Sequence, residues 1–223
     1  MSGFSLRLIE DRLAAGAALG ALPPWHRVVY AAQGEVGVRR AGGETRVEGG
    51  KAVFAGGACA LQAGPAGALV LRYELVRGPD GPDAAHPAGP GVESRLTLEH
   101  PVELDPRAPH LMRCDRVDFD PGGEALPHGH RGGGIRRLMA GRMDLKVGEG
   151  PFRTMWPGDA WFESGKEPVH AVAAQDEPTA FIRVSILPRE IRGRSSILYV
   201  NPADAARSRP RTYTVFVDDP IEL

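Results

Sequence analysis

The sequence predicts an all-β protein made of two antiparallel β-barrels in one chain. Short apolar runs of four to nine residues recur along most of its 223 residues, with glycine or proline between them. The 29 glycines and 20 prolines are scattered as turn residues and are not gathered in one segment. The two halves also repeat one another at a nearly constant spacing. These three features are typical of many short strands joined by turns.

The repeat is visible in the turn glycines and in the run that ends each half. Gly34 and Gly141 occupy matching turns that are 107 residues apart. The first half ends in the strand-like run 68–72, and the second half ends in the similar run 180–184. A duplicated β-barrel is the simplest explanation of this pattern. Two unrelated β segments with similar turn spacing are the alternative.

Composition divides the chain into four predicted segments. Residues 79–92 are dense in Gly, Pro and Asp and carry little bulky apolar content, which indicates a linker. The segments are a first barrel at residues 1–78, the linker at 79–92, a second barrel at 93–190, and an extension at 191–223 that packs on a barrel or on a partner subunit.

The N-terminal residues are the best candidate for a helix. Residues 6–19 include an Ala-rich stretch that ends before Pro23 and Pro24. Arg7 and Glu10 interrupt the apolar character of this region, so it is too polar for a signal peptide core or a membrane span. We therefore expect a cytoplasmic protein.

Overall charge and cysteine content exclude several classes of protein. With 27 basic and 28 acidic residues the formal net charge is −1, and no extended basic stripe is present. Nucleic acid and anionic membranes are therefore not expected partners. Cys59 and Cys114 lie in apolar, strand-like surroundings. We predict buried reduced thiols at both positions, with no disulfide scaffold and no cysteine zinc site.

Three of the seven histidines form a pattern that predicts a metal site. His128 and His130 are two residues apart, so both rings project from the same face of an extended strand. His170 follows 40 residues after His130, at the start of another strand-like run. Imidazole nitrogens are common ligands of first-row metals. We therefore predict one divalent ion on His128, His130 and His170. Surface or structural roles are expected for the others, His26, His86, His100 and His110.

The stretch 122–141 resembles the first motif of the cupin superfamily, usually written G-x5-H-x-H-x3,4-E-x6-G. Both histidines and the first and last glycines fall at the expected distances. Residues 158–170 resemble the second motif, although they are about one residue longer and lack the P-x-G before the histidine and the Asn after it. The resemblance implies a bicupin: two cupin-type barrels of double-stranded β-helix or jelly-roll form, with the metal inside the wider mouth of the second.

One departure from the cupin pattern concerns the carboxylate ligand. The pattern places a Glu near position 134, where this chain has glycine. Glu124 and Glu163 are possible replacements, and exposed acids are the alternative for both. A three-histidine site has one more open position, as in some cupin dioxygenases that bind substrate directly to Fe(II). The loss of a ligand can equally mark a degraded site.

The first barrel lacks the histidine pattern. The positions that match the histidine pair are Ala21 and Pro23, and the third position falls near Leu61 or Gln62. The resemblance therefore implies a degenerate N-terminal cupin without metal, which serves as packing, dimer surface or lid.

Two residues of the second barrel are candidates for substrate binding. Strand alternation places Arg136 on the same face as position 134, so the guanidinium points inward and is predicted to bind a substrate carboxylate. An internal salt bridge is the alternative, as is a shift of one residue that turns Arg137 inward. Trp161 could line the cavity, together with Trp156 and Phe162, or these rings could belong to the core.

The sequence favours a metal-dependent enzyme, first an Fe(II)-type dioxygenase that acts on a small organic acid. No general base or nucleophile is evident beyond the metal, which favours chemistry centred on the ion. The alternatives are an isomerase or hydrolase that uses Zn, Mn or Ni, and a non-catalytic cupin that binds a small molecule. The expected cofactor is one divalent ion, and the expected assembly is a homodimer with a small-molecule substrate.

Overall fold

The computed structural model describes residues 3–78, 89–207 and 210–223. The chain divides into two compact units, Met1–Asp105 and Pro106–Leu223. Within the described residues the only helices are short 3-10 turns at Arg189–Ile191 and Pro202–Ala206, and no helix is long and apolar enough to cross a membrane. The predicted all-β class is confirmed. Most of the predicted linker, residues 79–88, lies outside the described residues, as does His86.

The first unit is one antiparallel sheet with strand order β4-β3-β6-β1-β7, to which β2 is added on β6 and β5 on β3. Buried side chains of this sheet form an apolar cluster that includes Val29, Val36 and Val70. The strands are β1 (Phe4–Leu13), β2 (Ala18–Leu22), β3 (His26–Arg40), β4 (Gly43–Glu48), β5 (Lys51–Gly56), β6 (Cys59–Arg77) and β7 (Val92–Val102).

The predicted helix at residues 6–19 is wrong, because these residues form β1 and the beginning of β2. β1 pairs along its whole length with β6 on one side and β7 on the other, and it is buried on both faces. A strand buried on both faces loses the alternation of apolar and polar residues that would mark it in the sequence. Its charged residues are tolerated because each has an ionic partner, such as Arg72 for Asp11.

The second unit consists of two five-stranded antiparallel sheets, with orders β13-β10-β15-β8-β17 and β12-β11-β14-β9-β16. Apolar side chains from both sheets, among them Val117, Leu138, Met143 and Ala171, pack into one core cluster between them. The strands are β8 (His110–Phe119), β9 (Glu124–His130), β10 (Gly134–Ala140), β11 (Met143–Val147), β12 (Arg153–Met155), β13 (Ala160–Glu163), β14 (Val169–Ala173), β15 (Thr179–Pro188), β16 (Ile197–Tyr199) and β17 (Arg211–Ile221).

The boundary between the units differs from the sequence-based one. The second barrel was expected to begin at residue 93, but β7 pairs with β1 and therefore belongs to the first unit. The predicted extension, residues 191–223, supplies β16 and β17 to the two sheets of the second unit. Both differences arise because hydrogen-bonded strand pairing, and not sequence proximity, assigns a strand to a sheet.

The two matching glycines have the same role in both units. Gly34 and Gly141 each adopt a φ of 71°, in the left-handed region that favours glycine. A Cβ atom at Gly34 would lie 2.1 Å from the carbonyl oxygen of Gly67, and one at Gly141 would lie 2.5 Å from that of Pro178. The common turn conformation and the close backbone approach agree with a duplicated barrel.

Both cysteines are free and buried, as predicted. Burial raises the pKa of the Cys114 thiol well above its ordinary value, and neighbouring Asp115 raises it further. Cys59 lies inside the first unit, where its Sγ accepts a hydrogen bond of 3.2 Å from Arg27.

The interior of the first unit contains a buried network of charged side chains. Nε of Arg27 donates to Oε1 of Glu74 at 2.9 Å, and Nη1 of Arg72 donates to the same oxygen at 2.8 Å. Arg72 also binds both carboxylate oxygens of Asp11, at 2.7 and 3.0 Å. All four side chains are inaccessible to solvent or nearly so. Such a network stabilises the fold only while every member is present, because a lone buried charge is strongly unfavourable.

We predict that Arg72→Met lowers the free energy of unfolding by about 3–5 kcal/mol, since it leaves Asp11 buried without its cation. Denaturant titration of the wild type and the variant measures this change. Arg12→Ala is the control, because Arg12 is mostly exposed and its ion pair contributes at most about 1 kcal/mol. A loss for Arg72→Met no larger than that of the control would show that the network does not stabilise the unit.

Candidate functional site

The candidate site is a small cavity between the two sheets of the second unit. Its volume is about 20 Å³, which is room for one water molecule or one ion and not for an organic substrate. A larger space of about 760 Å³ lies in the first unit, but its lining within the described residues contains no histidine or cysteine. The small cavity is the one with candidate chemistry. Its charged and titratable lining residues are His128, His130, Arg136, Glu163, Arg183 and Arg211.

Strand β9 presents His128 and His130 to this cavity, as the two-residue spacing predicts. The ring centroids are 4.9 Å apart, and the ring planes are nearly perpendicular at 89°. Nδ1 of His128 donates to the carbonyl oxygen of Leu126 at 2.7 Å, so the lone pair of the neutral ring is on Nε2. Nδ1 of His130 lies 3.2 Å from the hydroxyl oxygen of Ser196. Such contacts at Nδ1 hold the rings of metal-binding histidines in place.

Both imidazoles are held in the neutral form. Burial lowers the pKa of His128 below its ordinary value of 6.5. Burial also lowers the pKa of His130, to about 3, although a hydrogen bond to Glu163 acts in the opposite direction. Neutral imidazole is the form that binds metals, and Nε2 of His128 carries a free lone pair. Nε2 of His130, in contrast, faces Glu163 and must give up its hydrogen bond to that carboxylate before it can act as a ligand.

Glu163 supplies a carboxylate on the same inner surface. It is the cross-strand partner of Gly134, the position at which the cupin pattern expects its Glu. Nε1 of Trp161 donates to Oε1 of Glu163 at 2.8 Å, and Nη2 of Arg136 lies 2.7 Å from Oε2. Nε2 of His130 lies 3.4 Å from the same Oε2. Burial raises the pKa of Glu163, but Arg136 and these hydrogen bonds lower it by a larger amount. The pKa is therefore below its ordinary value, and the carboxylate is ionised.

The two residues predicted to bind substrate have internal partners. Arg136 points into the barrel, is 1% exposed, and donates from Nη1 to the carbonyl oxygen of Gly134 in addition to its pair with Glu163. The internal salt bridge, which the sequence left open as an alternative, is therefore the arrangement observed. Trp161 both lines the cavity and belongs to the core cluster. Trp156 is mostly exposed.

His170 does not meet the other two histidines. Val169 is the cross-strand partner of His128, so Val169 shares its inward face and His170 points to the outer face of β14. There Nε2 of His170 pairs with Oε1 of Glu124 at 2.6 Å, and its ring contacts Phe152. Within the described parts of the chain, no group of three or more His, Cys, Asp or Glu side chains is arranged to hold a metal. The predicted three-histidine set is corrected accordingly.

Arg211, in the C-terminal extension, is a residue of the cavity that sequence reasoning missed. It donates to the hydroxyl of Tyr213 at 2.6 Å, to the hydroxyl of Tyr199 at 3.0 Å and to the carbonyl of Glu124 at 3.0 Å. All three acceptors are neutral, so these contacts leave the charge of the guanidinium uncompensated. Only the pairing of β17 with β8, which are distant in sequence, shows which face of its strand Arg211 occupies.

The donor chemistry at the cavity suits a divalent metal ion. Two imidazoles and one carboxylate, from His128, His130 and Glu163, line the cavity, and these are donor types that Fe(II) and other first-row ions accept, but in the described residues they are not arranged as a metal-holding group. The guanidinium of Arg136 works against such an ion, because it binds Oε2 of Glu163 and repels a second cation. Any ion held here therefore competes with Arg136 for Glu163.

Comparison with known proteins identifies the architecture. No family model matches the sequence, and no curated protein matches it. The structure is similar to that of oxalate decarboxylase from Bacillus subtilis at pH 4.6, with a TM-score of 0.63 and 14% identity over 93% of this chain and 79% of that one. The fold is of the cupin type. A second structure of oxalate decarboxylase is also similar, with a TM-score of 0.64 and 15% identity over 92% of this chain and 73% of that one. It is named for a structural element that modulates proton-coupled electron transfer.

At this level of identity the similarity concerns the cupin fold alone. The same barrel can serve unrelated chemistry. The function of the second cupin unit must therefore be argued from its own side chains.

We predict that the metal-free protein loses stability as the pH falls from about 7 toward 4. The folded state keeps His130 neutral down to its pKa of about 3, whereas the same ring takes up a proton near pH 6.5 in the unfolded chain. Because the unfolded state binds more protons in this range, the free energy of unfolding falls by up to about 1.4 kcal/mol per pH unit for His130, and the lowered pKa of His128 acts in the same direction. Denaturant titrations at several pH values, with His130→Gln as the comparison, measure the slope. A slope that His130→Gln leaves unchanged would contradict a buried neutral ring.

Proposed function

We propose that the second cupin unit binds one divalent metal ion on His128, His130 and Glu163 and is an enzyme that acts on a small organic acid. The observation that carries this proposal is that two buried imidazoles and the Glu163 carboxylate line one cavity, in which Nε2 of His130 lies 3.4 Å from Oε2 of Glu163. A divalent ion would supply Lewis-acid chemistry at this centre. A dioxygenase that uses Fe(II) is the form that this donor set favours, and Mn, Zn and Ni remain alternatives.

The surrounding residues support the proposed ligands. Trp161 and Arg136 hold the Glu163 carboxylate in one orientation, and the carbonyl of Leu126 holds the ring of His128. The apolar core around them limits the cavity to about the size of one water molecule, which keeps bulk water away from the ligands. Packing and hydrogen bonds fix the positions of these ligands, but an ion that binds Oε2 of Glu163 must still displace Arg136.

The charge around the cavity supports an organic acid as a substrate that binds beside it, because the cavity itself has room for only about one water molecule. Arg183 is paired with Asp115 and Arg136 with Glu163, but the acceptors of Arg211 are all neutral. The lining therefore carries a positive charge that an anion can neutralise. The neighbours in structure are named for oxalate, which is itself a small organic acid. This agreement supports the substrate class and does not identify the substrate.

A non-catalytic cupin that binds a small molecule is the second candidate. The ion pair between Arg136 and Glu163 favours it, because these two buried charges neutralise one another without any metal. Metal content separates the two candidates, and oxygen uptake with small carboxylates then tests the dioxygenase form. The expected homodimer stays a prediction.

We predict that His128→Ala, His130→Ala and Glu163→Gln each weaken retention of a divalent ion at least tenfold, since each removes one of three proposed ligands. Elemental analysis of the purified proteins, and titration of the metal-free forms with Mn²⁺ or Zn²⁺, measure this loss. His170→Ala is the matched control and should keep the wild-type metal content, because its ring lies on the outer face of β14.

A wild-type protein that binds no divalent ion would overturn the metal proposal. Loss of the ion in His170→Ala, with retention in Glu163→Gln, would restore the three-histidine site in its place. Circular dichroism of every variant shows whether the barrel remains folded.

Arg136→Met is predicted to increase the affinity for Mn²⁺ or Zn²⁺ at least tenfold. The variant removes a cation that binds Oε2 of Glu163 at 2.7 Å and thereby frees this oxygen for the metal. Competition with a chromophoric chelator measures the affinity, and Arg153→Met, an exposed arginine on β12, is the control. Equal or weaker binding in Arg136→Met would show that the ion does not compete for Glu163.

A further inference from the structure

A second and larger pocket lies next to the cavity. It has a volume of about 320 Å³ and lies between the inner faces of β8, β15 and β17 and the segment 193–197. This volume is within the range of small-molecule binding sites. Arg183 and Tyr213 line both spaces, so a single layer of side chains separates the pocket from the cavity with the histidines.

The wall of the pocket is held in place by buried charged groups. Arg113 binds both carboxylate oxygens of Asp218, at 2.8 and 3.1 Å. The same guanidinium donates to the carbonyls of Ile191 and Arg194 and thereby fixes the segment that closes the pocket. The backbone N–H of Gly193 donates to Asp218 at 2.7 Å. The pocket is therefore a formed feature of the fold.

The pocket combines cationic and apolar surface. Three arginines and two aspartates line it, so the wall carries one net positive charge. Asp115 accepts hydrogen bonds from Nε and Nη2 of Arg183, at 2.9 and 2.6 Å. Nη1 is therefore the remaining donor group of this side chain, which is almost fully buried. Ile197 and Val215 contribute apolar surface. A carboxylate with a short apolar body matches this combination.

Ser196 connects the pocket to the histidine pair. It lines the pocket, and its hydroxyl oxygen lies 3.2 Å from Nδ1 of His130. A molecule that occupies the pocket therefore contacts the group that adjoins the His130 ring. The cavity itself has room for only about one water molecule, so an organic acid cannot lie beside the imidazoles in this conformation.

We propose that this pocket binds the organic acid, with its carboxylate on Arg183 and its apolar body against Ile197 and Val215. The inference rests on the proposed function for its biological meaning, but the binding itself requires no metal. It places the substrate one side-chain layer away from His128 and His130. A ligand that contacts Ser196 in the pocket therefore changes the surroundings of the His130 ring.

The test is a titration of the metal-free wild-type protein with benzoate and with butyrate, followed by the side-chain nitrogen resonances of its histidines in NMR spectra. Benzamide and butyramide are the neutral controls. We expect saturable shifts of the His130 resonances with at least one carboxylate, and at least tenfold weaker binding of its amide. No saturable shift with either carboxylate, or equal binding of acid and amide, would overturn the proposal.

Variants that fill the pocket locate the binding. Ile197→Trp should weaken carboxylate binding at least tenfold, and Leu198→Trp is its matched control, because Leu198 is the next residue of β16 and is exposed outside the pocket. Val215→Trp is a second filling variant at a half-exposed position, where the larger side chain does not disturb the core. Unchanged binding in both filling variants would overturn the assignment to this pocket.

The result is separate from that of the metal experiment. Carboxylate binding in a protein that retains no divalent ion would support the pocket and remove the metal-dependent function. Metal retention without carboxylate binding would overturn the pocket and leave the metal site standing.

Discussion

The Glu163 carboxylate is buried inside the second unit, where Trp161 and Arg136 bind its two oxygens and a ring nitrogen of His130 lies 3.4 Å from one of them. An ionised carboxylate at such depth is stable only with these partners, because its desolvation is strongly unfavourable. It lies across from Gly134, the position on β10 at which the cupin pattern places its acid. The metal proposal depends on this single interaction.

Both units contain a buried arginine that binds both oxygens of an aspartate on a neighbouring strand, but the surroundings of this pair differ. In the first unit an inward arginine, Arg72 on β6, binds both oxygens of Asp11 on β1, and in the second Arg183 on β15 binds both oxygens of Asp115 on β8. The first unit extends its pair into a buried network through Glu74. The second surrounds its pair with histidines, a further carboxylate and a pocket, so chemistry is expected there.

The sequence was sufficient to predict the fold and about half of the residues of the candidate site. Alternation along each strand was sufficient to predict that His128 and His130 on β9, and Arg136 on β10, point to the inside of the barrel. It failed for His170, because the face of β14 depends on its register against β9, and a shift of one residue reverses every side chain. Arg211 depends on the pairing of distant strands, and the charged β1 was taken for a helix because its ionic partners are remote in sequence.

The number of imidazoles around a bound ion tests the metal centre most directly. Pulsed electron paramagnetic resonance of the Cu²⁺-loaded protein resolves the remote nitrogen of each coordinated imidazole. The structure predicts the signature of two imidazoles, unchanged when His170 is replaced by alanine. A signature of three, reduced to two by that replacement, would contradict the centre of two histidines and Glu163.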